Sequence, residues 1–134
     1  MDAKKIFITS LVVFIFVFLF EMILHGFILK GLYIETASLW RSPEEMQSFF
    51  PLSLGVQLLF SVFSVLFYKS VVKEYSVKSG VVFGAFLGLL FGVSQFGLYA
   101  YMPIPMLLAE VWLLGIFLEC LIIGLIIGLL NKAK

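Results

Sequence analysis

The chain has little of what soluble proteins depend on. Only 13% of its 134 residues are charged, whereas a soluble domain carries about 25%. It has one cysteine, which excludes an intrachain disulfide framework. Its formal net charge of +1 offers no basic surface for a phosphate backbone, so we expect no nucleic-acid partner. The composition therefore excludes most soluble classes, disulfide scaffolds and nucleic-acid binders.

Apolar residues are abundant instead, and they occur in long runs. Hydrophobic residues make up 63% of the chain, and the mean hydropathy is +1.17. The uninterrupted runs cover residues 6–29, 52–68, 81–101 and 106–130. At ~1.5 Å per residue the first run spans about 36 Å, enough for a bilayer core of ~30 Å, and it is too long for a signal-peptide core. We predict an all-α fold, with residues 1–134 forming a single four-helix transmembrane domain whose first partner is the lipid bilayer.

The distribution of basic residues predicts the orientation of these helices. Lys30 and Arg41 lie on one side of the predicted membrane, and the other seven of the nine Lys and Arg residues lie on the side of the termini. Those seven are Lys4, Lys5, Lys69, Lys73, Lys78, Lys132 and Lys134. Because cytoplasmic loops carry an excess of Lys and Arg, both termini should face the cytoplasm of a bacterial inner membrane.

The first outer loop, residues 30–51, contains a helix signal. Ser42 is a good N-cap, Pro43 suits the first helical position, and Glu45 lies three residues after the cap. Apolar and aromatic residues accompany it: Tyr33, Trp40, Met46, Phe49 and Phe50. We predict a short helix that lies in the membrane interface, and we favour an interfacial anchor over a gating lid.

Glycines recur at a spacing of four in the last two predicted helices. They are Gly80, Gly84, Gly88, Gly92, Gly124 and Gly128. Small residues at this spacing let helix backbones approach closely, which matters in lipid because apolar side chains gain little by leaving it. We therefore assign these glycines to helix packing.

Polar residues interrupt the apolar runs and form the most informative group. The candidate intramembrane polar site comprises Glu21, His25, Gln57, Gln95 and Glu119. An acidic side chain at a helix centre costs about 2.5–3.5 kcal/mol on insertion scales, so such groups need pairing, protonation or water. Counted from the span midpoints, most of them lie in the outer half of the membrane. The pattern predicts a polar pocket that opens outward above an apolar plug.

A second group should surround the mouth of this pocket. It comprises Tyr33, Trp40, Arg41 and Glu110. Glu110 and Glu119 are nine residues apart, about 180° around a helix, so both cannot point at one axis. We expect Glu119 to face inward and Glu110 to extend toward the headgroups.

Catalysis and cofactors receive little support. A metal site would draw on Glu21, His25 and Glu119, but Glu21-x-x-x-His25 is not the Glu-x-x-His spacing of di-iron bundles. Haem would lack a second histidine ligand, and Cys120 has no obvious activating base. We expect no cofactor, with metal or haem as less favoured alternatives. We also do not favour an enzymatic function.

The segment from Glu21 to Gln47 carries a local pattern. It reads Glu-x-x-x-His-Gly-x-x-Leu-x-x-x-Tyr, then Thr36, Leu39-Trp40-Arg41 and Glu45-Met46. The pattern resembles that of an uncharacterised family of small bacterial four-helix membrane proteins and covers about a fifth of the chain. The resemblance implies no activity, but it implies that His25, Tyr33, Trp40 and Arg41 lie together.

Three functions remain open at this stage. The one we favour is a non-catalytic accessory or assembly subunit that packs against other membrane subunits or against copies of itself. The alternative is a small proton- or cation-handling transporter that uses Glu21, His25 and Glu119. The third is a membrane protein that binds a lipid or another small apolar ligand.

Overall fold

The computed structural model describes residues 1–132 and is 86% helical. Lys134, one of the orientation-setting lysines, lies outside the described residues. The helices are α1 (Ala3–Ile23), α2 (Lys30–Glu35), α3 (Pro43–Ser48), α4 (Phe50–Val71), α5 (Val77–Gly97) and α6 (Met106–Asn131). A π-helical turn, Leu24–Ile28, extends α1, and a 3₁₀ turn, Leu98–Ala100, extends α5.

Four of these segments are long and apolar enough to cross a membrane, which confirms the four predicted helices. They are Ala3–Ile28, Phe50–Val71, Val77–Ala100 and Met106–Asn131. The third begins four residues earlier than the apolar run at residue 81. The reason is a capping box: the Ser76 hydroxyl accepts from the Ser79 amide at 3.0 Å, and the Ser79 hydroxyl accepts from the Ser76 amide at 2.9 Å.

The long helices form a bundle with unequal contacts. The α5 and α6 helices pack along most of their length, and α1 packs against both α4 and α6. The α4 and α5 helices meet mainly through aromatic rings, with centroids 5.7 Å apart for Phe60 and Phe91 and 5.6 Å apart for Phe67 and Phe83. We call the end that carries the termini the termini end, and the end that carries residues 29–49 and 101–105 the loop end.

Glycine allows α5 and α6 to touch backbone to backbone. A Cβ atom added to Gly88 would lie 2.8 Å from the Phe117 carbonyl oxygen, and one added to Gly92 would lie 3.0 Å from that of Leu113. Side chains at Gly80 and Gly84 would likewise meet backbone carbonyls of α6. Any larger residue therefore forces the two helices apart.

The termini half of the bundle has a dry apolar core. Val13, Val65, Ile123 and Ile127 are each 0% exposed. Polar groups are also buried there, which the sequence did not reveal: the Asn131 side-chain amide donates to Thr9 Oγ1 at 3.1 Å. This hydrogen bond joins the ends of α1 and α6.

The segment between α1 and α4 folds back onto the loop end. A second cluster of buried side chains forms there from Leu24, Leu29, Ile104, Leu108 and Ala109, with Trp40 and Trp112 packed against it. Within the segment, α3 starts at Ser42 with the predicted capping box, in which Ser42 Oγ accepts from the Glu45 amide at 3.2 Å. All of α3 is exposed.

Candidate functional site

A polar cavity lies between the long helices in the loop half of the bundle. Its volume is about 440 Å³. We call it the polar cavity, and all four long helices line it: Val17 and Glu21 of α1, Val56, Gln57 and Phe60 of α4, Phe91, Ser94 and Gln95 of α5, and Ile116 and Glu119 of α6. Because α4 and α5 have few other contacts, the cavity lies where the bundle is least tightly closed.

Two polar side chains face this cavity without a hydrogen-bond partner. Glu119 is 2% exposed, and its Oε1 atom has no partner among the described residues. Gln57 Oε1 is buried and is also without one. An unpaired polar atom in an apolar surrounding costs roughly 1–3 kcal/mol, and an ionised carboxylate costs more. Glu119 therefore requires a proton, a cation or water in the cavity.

A chain of polar contacts leads from the cavity to the loop end. The His25 imidazole Nε2 lies 3.2 Å from Glu21 Oε2. Its Nδ1 lies 2.6 Å from the Tyr33 hydroxyl, and the Trp112 indole donates to the same hydroxyl at 2.9 Å. We call Glu21, His25 and Tyr33 the relay.

The donors and acceptors of the relay form one consistent arrangement. The Trp112 N–H can only donate, so the Tyr33 oxygen accepts from it and its own proton is free to bond to His25 Nδ1. His25 Nε2 then carries the imidazole proton and lies 3.2 Å from Glu21 Oε2, within ion-pair distance. Burial raises the pKa of the Tyr33 phenol above its ordinary value of 10.0. The hydrogen bond from Trp112 lowers this pKa, and the nearby charge of Glu21 raises it further. The phenol therefore keeps its proton at neutral pH.

Local backbone structure places these side chains. Glu21 and His25 are one helical turn apart on α1, as their spacing predicted. His25 itself lies in the π-helical turn, a feature that is frequent at functional sites. The chain then turns into α2, which brings Tyr33 back over His25 with the two rings stacked at 5.8 Å. Sequence spacing alone does not reveal this return.

A second, larger concavity lies beyond the relay at the loop end. It has a volume of about 1270 Å³, and we call it the outer groove. Its lining consists of His25, Gly26, Lys30, Tyr33, Ile34, Ala37, Leu39, Trp40, Arg41, Ser42, Pro43, Met46 and Trp112. Trp40 stands between two other rings, with its centroid 5.4 Å from that of Tyr33 and 6.1 Å from that of Trp112.

The structure divides the predicted site residues between these two spaces. Glu21, Gln57, Gln95 and Glu119 line the polar cavity, while His25, Tyr33, Trp40 and Arg41 line the outer groove. Glu110 lines neither and is exposed on α6.

The lining residues that the sequence analysis did not assign to the site include Lys30, Ser94 and Trp112. Trp112 lies seven residues before Glu119, two turns along the same face of α6, and this spacing was a signal that could have identified it. Ser94 precedes Gln95 and offers only its polarity as a signal.

The described part of the chain gathers no metal-binding cluster. Within residues 1–132, no three His, Cys, Asp or Glu side chains meet in an arrangement that could hold an ion. The weak metal candidates Glu21, His25 and Glu119 therefore do not form a ligand set, and Cys120 is buried in the core.

Comparisons with known proteins leave the site to be interpreted from its geometry. No protein-family model matches the chain, and no curated protein and no solved structure shows significant similarity to it.

Proposed function

We propose that this multi-pass membrane protein moves protons or small cations through the polar cavity. The observation that carries the proposal is the Glu119 carboxyl: the residue lines the cavity, and its buried Oε1 has no hydrogen-bond partner among the described residues. Intramembrane acids commonly mark ion and proton paths, because a bound proton, a cation or water satisfies the carboxyl in an apolar surrounding.

The relay supplies a route between the cavity and the loop end. A proton that arrives at Tyr33 can pass to His25 Nδ1 along a hydrogen bond of 2.6 Å, while the Nε2 proton leaves to Glu21 Oε2, which lies 3.2 Å away. Glu21 lines the same cavity as Glu119, so the two carboxyls share the next step.

The other half of the path is closed in this conformation. Val13, Val65, Ile123 and Ile127 fill the bundle beneath the cavity and leave no exposed surface. Transport therefore includes a rearrangement that opens this apolar plug, and the weakly packed α4–α5 side is the natural place for it because few contacts would be lost.

The proposal also includes an orientation. We place the protein in a bacterial inner membrane, with the termini in the cytoplasm and the loop end outside. In support, six described lysines are exposed at the termini end: Lys4, Lys5, Lys69, Lys73, Lys78 and Lys132. In this placement α3 lies at the outer membrane interface.

Flux through reconstituted vesicles tests the proposed transport. We expect wild-type protein to dissipate an imposed proton or cation gradient, and Glu119→Gln and Glu21→Gln to reduce the flux at least about tenfold, because an amide binds neither a proton nor a cation as a carboxylate does. Glu110→Gln is the matched control, since it removes a carboxylate from the same helix as Glu119 but outside the cavity. Undiminished flux in both cavity variants contradicts the proposal.

A second candidate is an accessory subunit of a larger membrane assembly, or a homo-oligomer. Ser94 and Gln95 are exposed on the α5 wall of the cavity, and Gln57 Oε1 opposite them is unpartnered. A polar side chain from a neighbouring subunit would satisfy these groups. Purification from the native membrane in mild detergent distinguishes the candidates: a stoichiometric partner together with absent flux supports the accessory subunit.

A further inference from the structure

The outer groove combines two cationic side chains with a wide aromatic wall. Lys30, Arg41 and the imidazole of His25 line it, and no aspartate or glutamate does. Within residues 1–132, the one ion pair joins His25 to Glu21. Among the described residues, neither Lys30 nor Arg41 lies within ion-pair distance of a carboxylate.

The two cationic side chains of the loop end converge on the outer groove. The other described Lys and Arg residues all lie at the termini end, so the loop end has two such cations and both of them line the same groove. Arg41 is held in position by Phe49, with its guanidinium carbon 4.7 Å from the ring centroid. Stacking of this kind leaves the guanidinium N–H groups free to bind an anion.

The rest of the lining is suited to hydrocarbon. Tyr33, Trp40 and Trp112 form an aromatic wall, and Ile34 and Met46 add aliphatic surface. The volume of about 1270 Å³ exceeds the ~300–1,000 Å³ of typical small-molecule pockets. The groove also adjoins the ends of the long helices, where lipid headgroups would lie.

We propose that the outer groove binds the headgroup of an anionic phospholipid. The phosphate is recognised by Lys30 and Arg41, and the glycerol and first acyl methylenes lie against the aromatic wall. A free phosphate would use only the cations and would leave this wall uncovered, so the geometry favours the lipid. The inference does not depend on proton or cation transport through the polar cavity.

The tryptophans of the chain provide the readout. The sequence contains two, and both line the outer groove, so tryptophan fluorescence reports on this region alone. The full-length protein is placed in phosphatidylcholine nanodiscs that contain a small fraction of lipid brominated near the glycerol. Bromine quenches indole fluorescence only at short range. We expect brominated phosphatidylglycerol to quench far more than brominated phosphatidylcholine at the same fraction, with a local enrichment on the order of tenfold.

Variants and a soluble probe complete the test. We expect Lys30→Gln with Arg41→Gln to remove the excess quenching, and Lys69→Gln with Lys73→Gln, an equal loss of charge at the termini end, to retain it. Glycerol 3-phosphate is added to discs of phosphatidylcholine alone, and we expect no spectral change. Equal quenching by the two brominated lipids in the wild-type protein overturns the proposal, whether or not the variants fold. A saturable response to glycerol 3-phosphate overturns the lipid as the ligand in favour of a free anion.

Discussion

At the scale of single residues, burial separates side chains of the same type. Glu110 and Glu119 lie on the same helix, yet Glu119 is 2% exposed and faces the polar cavity while Glu110 is exposed. Their nine-residue separation predicted that they point in opposite directions. The sequence favoured Glu119 as the inward residue because Glu110 lies near the outer interface, and the rotation of α6 against its neighbours decides the matter in the structure.

The burial of Tyr33, one member of the relay, can be tested at alkaline pH. Its pKa is raised by burial, so the folded protein disfavours the phenolate. The resulting stability is present below the unfolded pKa of about 10 and is lost as the pH rises through the folded pKa. Thermal unfolding in detergent should therefore show a steeper loss of stability above pH 10 in the wild type than in Tyr33→Phe. Parallel pH profiles would show that Tyr33 is not buried in this way.

At the scale of helices, glycine decides how closely α5 and α6 pack. The four-residue spacing predicted a small-residue face. In the structure, this face contacts the α6 backbone at Phe117 and Leu113. Unlike a side chain, the backbone cannot move aside. A backbone contact is rigid, so the fold tolerates little change there.

A pair of glycine variants measures this rigidity. Gly88→Ala would place its Cβ 2.8 Å from the Phe117 carbonyl oxygen, whereas Gly97→Ala meets nothing within 4 Å. We expect the Gly88 variant to lose about 1–3 kcal/mol of stability through overpacking, and the Gly97 variant to lose none. The measurement is thermal unfolding in detergent, and similar melting temperatures for the two variants would count against the close packing of α5 and α6.

The capping box of α3 has a local effect that can also be measured. α3 has six residues, all of them exposed, so the hydrogen bonds at Ser42 contribute a large part of its stability. We expect Ser42→Ala to weaken the helix by about 1 kcal/mol and to accelerate amide exchange of Glu45 several-fold, without changing the melting temperature of the bundle. Ser48→Ala, which leaves the N-cap intact, is the control, and equal exchange in the two variants would argue against the cap.

At the scale of the whole molecule, the contacts leave one side of the bundle weak. The α5–α6 pair is closely packed, α1 joins it to α4, and α4 and α5 meet mainly through rings. The polar cavity lies on this weak side and the apolar plug lies beneath it. This arrangement fits a transporter whose interior must open. It fits equally an accessory subunit whose weakly packed side binds a partner helix.

Cysteine labelling tests the proposed orientation. The natural Cys120 is buried and gives little background. In intact cells, a membrane-impermeant maleimide should label Ser38→Cys at the loop end and should label Lys78→Cys only after the membrane is broken. The reverse pattern would place the termini outside and would reject the orientation drawn from the lysines.

The sequence by itself determined the features that depend on local order along the chain. The four long helices follow from the apolar runs, the start of α3 from its capping residues, and the Glu21–His25 pair from a spacing of one turn. The tertiary structure alone decided what meets across the bundle: Tyr33 over His25, Trp112 on Tyr33, and Glu119 in one cavity with Glu21. The physical reason is that almost every face of these helices is apolar, so hydropathy does not specify how each helix is rotated about its axis. Backbone contact between α5 and α6 sets that rotation instead.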